Sequence, residues 1–162
     1  MGIFSFLKSA GEKLIPGKDD APPKAAELSE QELSDLTFQN RLTRFAIDLG
    51  VPVKGLKVRF KSGKATVEGQ AESQAHRENV IIAIGNTAGV DAVDDRMTVV
   101  HSAPQATFYT VKPGDTLGKI AKEHYGNASK YPAIFEANRP MLSDPDKIYP
   151  GQVLRIPQEG AK

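Results

Sequence analysis

The sequence predicts an α+β fold built as two small units. Three observations predict it. From residue 29 to 100, apolar residues recur first at helical spacing, then alternate in two short runs, then repeat a helix and a strand, in the order helix, strand, strand, helix, strand. A polar stretch, residues 101–107, interrupts the pattern. Residues 108–158 then read strand, helix, helix, strand, a small antiparallel sheet with helices on one face. The length, 162 residues, suits one ordinary domain or two very small ones.

Each element has its own justification. Ile3, Phe6, Leu7, Ala10 and Leu14 recur at steps of three and four, which predicts a short amphipathic helix within residues 1–17, limited by Gly11 and Pro16-Gly17. So short a helix is marginal alone and must dock on something. Residues 18–28, with Asp19-Asp20 and Pro22-Pro23, read as a linker. Ser29 and Glu32 fit a capping box, in which each side chain satisfies the other residue's orphan N–H. Leu33, Leu36, Phe38, Leu42, Phe45 and Leu49 keep helical spacing up to Gly50, and Pro52 stops continuation. Leu56, Val58 and Phe60 alternate with Lys57 and Arg59, a strand with one buried face. Ser62-Gly63 turns the chain into a partner strand through Ala65 and Val67. Ser73 caps a helix to about Ile84, residues 85–89 form a loop, and residues 92–100 make a third strand. In the second unit, residues 108–111 are a strand and Pro113-Gly114 a turn. Asp115 or Thr116 caps a helix, a second helix spans about 130–138, and residues 153–156 close the sheet.

Composition narrows the function. Twenty-one basic and twenty acidic residues leave a formal net charge of +1, which gives no electrostatic reason to expect nucleic acid. There is no cysteine, hence no disulfide framework and no thiolate chemistry. The opening residues lack the basic start and cleavage site of a signal peptide, and no run approaches the ~18 apolar residues that span a bilayer. The expectation is a cytoplasmic monomer. His76, His101 and His124 fall in separate elements with no metal-ligand spacing. Asp94-Asp95, adjacent on a strand, face opposite sides and make a poor acid/base pair. Asp144 and Asp146 lack an EF-hand pattern, and no glycine-rich phosphate loop occurs. The chain therefore reads as a binding protein and not as an enzyme.

Three blocks carry a resemblance. Tyr109-Thr110-Val111-Lys112-Pro113-Gly114-Asp115-Thr116-Leu117, then Ile134-Phe135-Glu136-Ala137-Asn138, then residues 148–157 (Ile148-Tyr149-Pro150-Gly151-Gln152 onward) resemble a LysM domain. The unit at 29–100 resembles a BON domain, best at Gly85 and at Gly89-Val90-Asp91-Ala92-Val93. Together with the opening Met1-Gly2-Ile3-Phe4-Ser5-Phe6-Leu7-Lys8, the arrangement resembles the cytoplasmic BON–LysM potassium-binding proteins of bacteria over nearly the whole chain. Fold implied by that resemblance: N-terminal helix, BON domain (αββαβ), LysM domain (βααβ).

Potassium needs no charged side chains, because main-chain carbonyls can replace its water shell. Carbonyls are unspent where helices end, at a partly negative pole. Two such places are residues 10–13 and the glycine-bounded loop 85–89, although an ordinary helix cap and turn would look the same. The resemblance implies a potassium ion held by main-chain oxygens of Leu7, Ala10, Glu12, Gly85, Thr87 and Val90, with a change of domain arrangement on binding. Thr87 and Val90 stand where the family carries other apolar residues, which matters little if only carbonyls bind. The LysM resemblance implies a second ligand class, an N-acetylglucosamine glycan. It would lie between Gly114, Asp115, Thr116 and Leu117 on one side and Met141, Leu142 and Ile148 on the other, as in an envelope protein. The local alternative makes Asp115 or Thr116 a cap and Leu117 and Ile148 core. A protein partner through LysM is a further option. A membrane role for residues 3–14 is not expected, since only Lys8 and Lys13 are basic there, with Glu12 between them.

Overall fold

The computed structural model describes residues 2–5 and 29–159. Two sheets organise it: a four-stranded sheet in the order β1-β4-β3-β2 and a two-stranded sheet of β5 and β6. The element order from residue 30 to 101 is helix, strand, strand, helix, strand, as expected.

Helix α1 (Glu30–Asp48) begins with the predicted capping box: Ser29 Oγ accepts from Glu32 N at 3.2 Å, and Glu32 Oε2 accepts from Ser29 N at 3.0 Å. Strands β2 (Val53–Lys61) and β3 (Lys64–Ser73) form a hairpin closed by Ser62 and Gly63, whose φ values of 47° and 85° are the two left-handed turn positions that match strand twist. Gly63 is required twice over, because a Cβ there would meet Asp91 Oδ2 at 2.2 Å. Ser73 Oγ caps α2 (Gln74–Gly85), and α2 carries the chain across to β4 (Ala92–His101), which runs parallel to β3. Residues 80–85 are buried all the way round. A helix apolar on every side must be covered on every side. Here β3 and β4 cover one flank and β6 of the second unit another.

In the second unit, β5 (Thr107–Thr110) pairs antiparallel with β6 (Val153–Ile156). Between them lie α3 (Leu117–Tyr125), a 3-10 turn (Ala128–Lys130) and α4 (Tyr131–Ala137). Thr116, not Asp115, caps α3, and Gly126 ends it in a left-handed conformation. Leu117, Ile120, Ala121, Ile134, Leu142, Leu154 and Ile156 form its core.

One expectation is overturned. Residues 2–5, assigned to an N-terminal amphipathic helix, are the strand β1 (Gly2–Ser5), antiparallel to β4 with Gly2 opposite Asp95 and Ser5 opposite Ala92. Ile3 is 67% exposed, whereas Phe4 packs on the core and against the Phe108 ring at 5.1 Å. The long-range partner decides, because β4 offers an unpaired edge that the helical spacing in the sequence cannot reveal. The remainder of the expected helix and the 18–28 linker lie outside the described residues.

Side chains of α1 cap the end of the outer edge of β2 and the turn beyond it: Gln39 Oε1 accepts from Phe60 N and Asp35 Oδ2 from Ser62 N, each at 3.0 Å. Such caps make that end of the edge a poorer template for other chains.

Candidate cation loop and the interface between the units

Helix α2 ends at Gly85, and the chain leaves it through Asn86, Thr87, Ala88 and Gly89 to Val90. Asn86 N donates to Ile82 O at 2.9 Å and Thr87 N to Ile84 O at 3.1 Å, which spends two of the last carbonyls. Thr87 Oγ1 donates to Ala83 O at 3.0 Å, and Val90 N donates to Thr87 O at 3.1 Å. Among the described residues no donor reaches Gly85 O. Gly89 has φ +97°, and a Cβ there would stand 3.1 Å from Phe38 Cζ of α1, so only glycine fits without strain. The loop thus brings Gly85, Thr87 and Val90 together, with Thr87 and Val90 fully buried. Leu7, Ala10 and Glu12 lie outside the described residues.

Asn86 is the residue that sequence reasoning missed. Its side chain is fully buried and pairs with β6 like a strand: Nδ2 donates to Val153 O and Oδ1 accepts from Val153 N, both at 2.8 Å. Asn138 repeats the device two residues on, donating to Arg155 O at 2.8 Å and accepting from Arg155 N at 2.7 Å. Two asparagine amides, one from each unit, therefore close the outer edge of β6. The available signal was a lone amide one glycine after the apolar run Ile81-Ile82-Ala83-Ile84, but its partner lies 67 residues away. Nearby, Glu78 of α2 forms an ion pair with Arg155 of β6, and Asn79 Nδ2 donates to Arg139 O at 3.2 Å.

The glycan candidates divide. Leu117 and Leu142 are buried in the core of the second unit, with Ile148 packed beside them. Met141 packs on both cores, its Sδ 3.2 Å from Asn86 Nδ2. Gly114 and Thr116 are exposed, and Thr116 Oγ1 caps α3. Asp115 accepts from the Tyr109 hydroxyl at 2.7 Å and from Lys112 N at 2.9 Å. The Tyr109 hydroxyl, and next the Lys112 amide, hold the Asp115 carboxyl below its ordinary range. The same bond pushes the Tyr109 phenol up to about 12.

The depressed Asp115 value adds stability that is present above the ordinary carboxyl range and lost as pH falls through the folded-state value. The raised Tyr109 value adds stability that is present below about pH 10 and lost as pH rises toward 12. Thermal unfolding of Tyr109→Phe against the parent across pH 2.5–11 is expected to show a parent advantage in between that shrinks at both ends. A constant difference across that range would mean the bond plays no part.

Among the described residues no cluster of His, Asp or Glu could hold a metal ion, and no helix is long and apolar enough to cross a membrane.

Comparison with known proteins adds the following. Residues 41–101 match the BON domain and residues 109–157 the LysM domain. The chain is 44% identical over 163 aligned residues to the potassium binding protein Kbp of Escherichia coli, an alignment covering 98% of this chain and 100% of that protein. It is 35% identical over 114 residues to an esterase of Mycobacterium tuberculosis, covering 70% of this chain but only 22% of the esterase. A stretch of 51 residues is 55% identical to an uncharacterized protein of Deinococcus radiodurans, across 19% of that protein.

Proposed function

Since the chain belongs to the family of the potassium binding protein Kbp, we propose that it binds K⁺ through main-chain oxygens and that binding fixes how its BON and LysM domains are held together. The proposed domains are 29–100 and 108–158, in a cytoplasmic monomer. The ligands are the carbonyls of Leu7, Ala10, Glu12, Gly85, Thr87 and Val90.

One observation carries the proposal furthest. Ser5 pairs with Ala92, two residues after Val90, and β1 runs toward the 85–90 loop. Leu7 is two residues past Ser5, a span of about 7 Å at most. Ser5, the last described residue of β1, thus lies within reach of the Val90 end of the loop that carries the proposed carbonyls of Gly85, Thr87 and Val90. Asn86 sits between two of the ligands and holds Val153 of β6, so an ion that orders the loop also favours the docked arrangement.

Backbone-amide NMR of the full chain, titrated with KCl against NaCl at equal ionic strength, tests it. Saturable shifts at residues 7–12, 85–90 and 153 are expected with K⁺ only. Gly89→Ala, strained at φ +97°, is expected to weaken binding about tenfold or more, in line with a strain of about 1–3 kcal/mol. Equal responses to both salts would sink the proposal. A second reading, glycan binding through LysM, is favoured by the exposure of Gly114 and Thr116. It predicts shifts of those amides with chito-oligosaccharides.

A further inference from the structure

The helices cover one face of the four-stranded sheet, and the other face carries charge that the overall composition conceals. Val58, Ala65, Val67, Val93 and Met97 point into the core. The alternate positions therefore form the open face, and there β2 presents Lys57, Arg59 and Lys61, β3 presents Lys64, and β4 presents Arg96, all exposed. Lys54, opposite Gln70, adds a sixth cation, and Glu68, Glu72 and Asp94 are the carboxylates on this face, leaving a surplus of three cations in a chain whose formal net charge is +1. Two of the carboxylates are taken by arginines: Glu68 by Arg59 at 3.1 Å and Asp94 by Arg96 at 3.0 Å. Lys57, Lys61 and Lys64 form no salt bridge among the described residues.

The β-hairpin register makes this costly. Lys61 stands directly opposite Lys64. Like charges in direct cross-strand pairs repel and destabilise a hairpin. Beside that pair lies a groove of about 690 Å³, bounded also by Arg59, Thr66, Arg96 and Gln39. A bound anion would relieve the repulsion.

We propose that this open face binds an extended acidic segment of a partner protein. Lys57, Arg59 and Lys61 occupy alternate positions of one strand, about 6.7 Å apart. An extended chain with acidic side chains at every second residue repeats at the same interval on one of its sides. The one aromatic residue at the groove among the described residues, Phe60, turns its ring inward against Phe38 at 4.5 Å, so a nucleic-acid strand would find no stacking platform. Gln39 occupies the outward amide of Phe60, which hinders strand addition at that end of β2.

The test is NMR titration of the full chain with a blocked (Glu-Ser)₅ peptide, with (Gln-Ser)₅ as the control, at two salt concentrations. Saturable shifts centred on residues 57–68 and 94–98, weakening with salt and absent with the control, are expected. Lys61→Glu is the discriminating variant. It is expected to lower peptide affinity about tenfold, as reversal of a steering charge does, while dispersed amide shifts of the β2–β3 hairpin show that the fold is kept. Unchanged affinity in Lys61→Glu would overturn the proposal, as would no saturable response to the acidic peptide. Equal or tighter binding of oligo(dT)₁₀ or of anionic phosphatidylglycerol vesicles at the same residues would also overturn it, by assigning the face to another class of ligand.

Discussion

Glu78→Ala is expected to cost about 3–5 kcal/mol of stability, the usual loss when one partner of a buried ion pair is removed. The Glu78 and Arg155 side chains are only 4% and 11% exposed. Glu78 also accepts from Ala106 N at 3.0 Å and from Gln74 Nε2 at 2.9 Å. One carboxylate thus ties α2, the linker between the domains and β6. Its removal strands a guanidinium away from water and orphans a main-chain amide. Urea unfolding measures the loss. The double variant Glu78→Leu with Arg155→Met is expected to recover much of it, because the stranded charge goes too. A Glu78→Ala loss below about 1 kcal/mol would place Arg155 in solvent.

Asn86→Ala is expected to cost about 3 kcal/mol. Two hydrogen bonds vanish, and the N–H and C=O of Val153 stay buried without partners, each worth about 1–3 kcal/mol when left unmade. Asn86→Asp separates hydrogen bonding from size: it keeps an acceptor for Val153 N but turns a carboxylate oxygen toward Val153 O. It should therefore be no milder than alanine. Amide hydrogen exchange supplies the local check. Val153 N–H is expected to lose protection in both variants while amides of the β2–β3 hairpin, such as Val67, keep theirs. Unchanged protection at Val153 would show that the domains do not depend on this amide for docking.

Much of the fold is written in local chemistry. The Ser29 capping box, the Ser62-Gly63 turn and the Thr116 cap each act within four residues, and each stands where the pattern puts it. Features whose cause is distant were not legible. Gly2–Ser5 pair with residues some ninety positions away, and the overlapping three- and four-residue spacing of Ile3, Phe6 and Leu7 points to a helix instead. Asp115 looked like an equal choice for the α3 cap until Tyr109, six residues earlier, claimed its carboxylate. The turn at 85–89 was legible from its bounding glycines. Asn86 within it was not, because nothing local tells a side chain that closes a turn from one that docks a second domain.

The paired asparagines on β6 have a consequence for association. A two-stranded sheet has little else to protect it. Were the domains to part, Asn86 would leave with the BON half, and Val153 would show a bare N–H and C=O on an otherwise finished strand. Such a margin recruits any extended chain that comes near, including β6 of another copy. Undocking would thus carry a risk of domain swapping and aggregation that rises with protein concentration, and an agent that keeps the domains docked would also act as a solubilising factor.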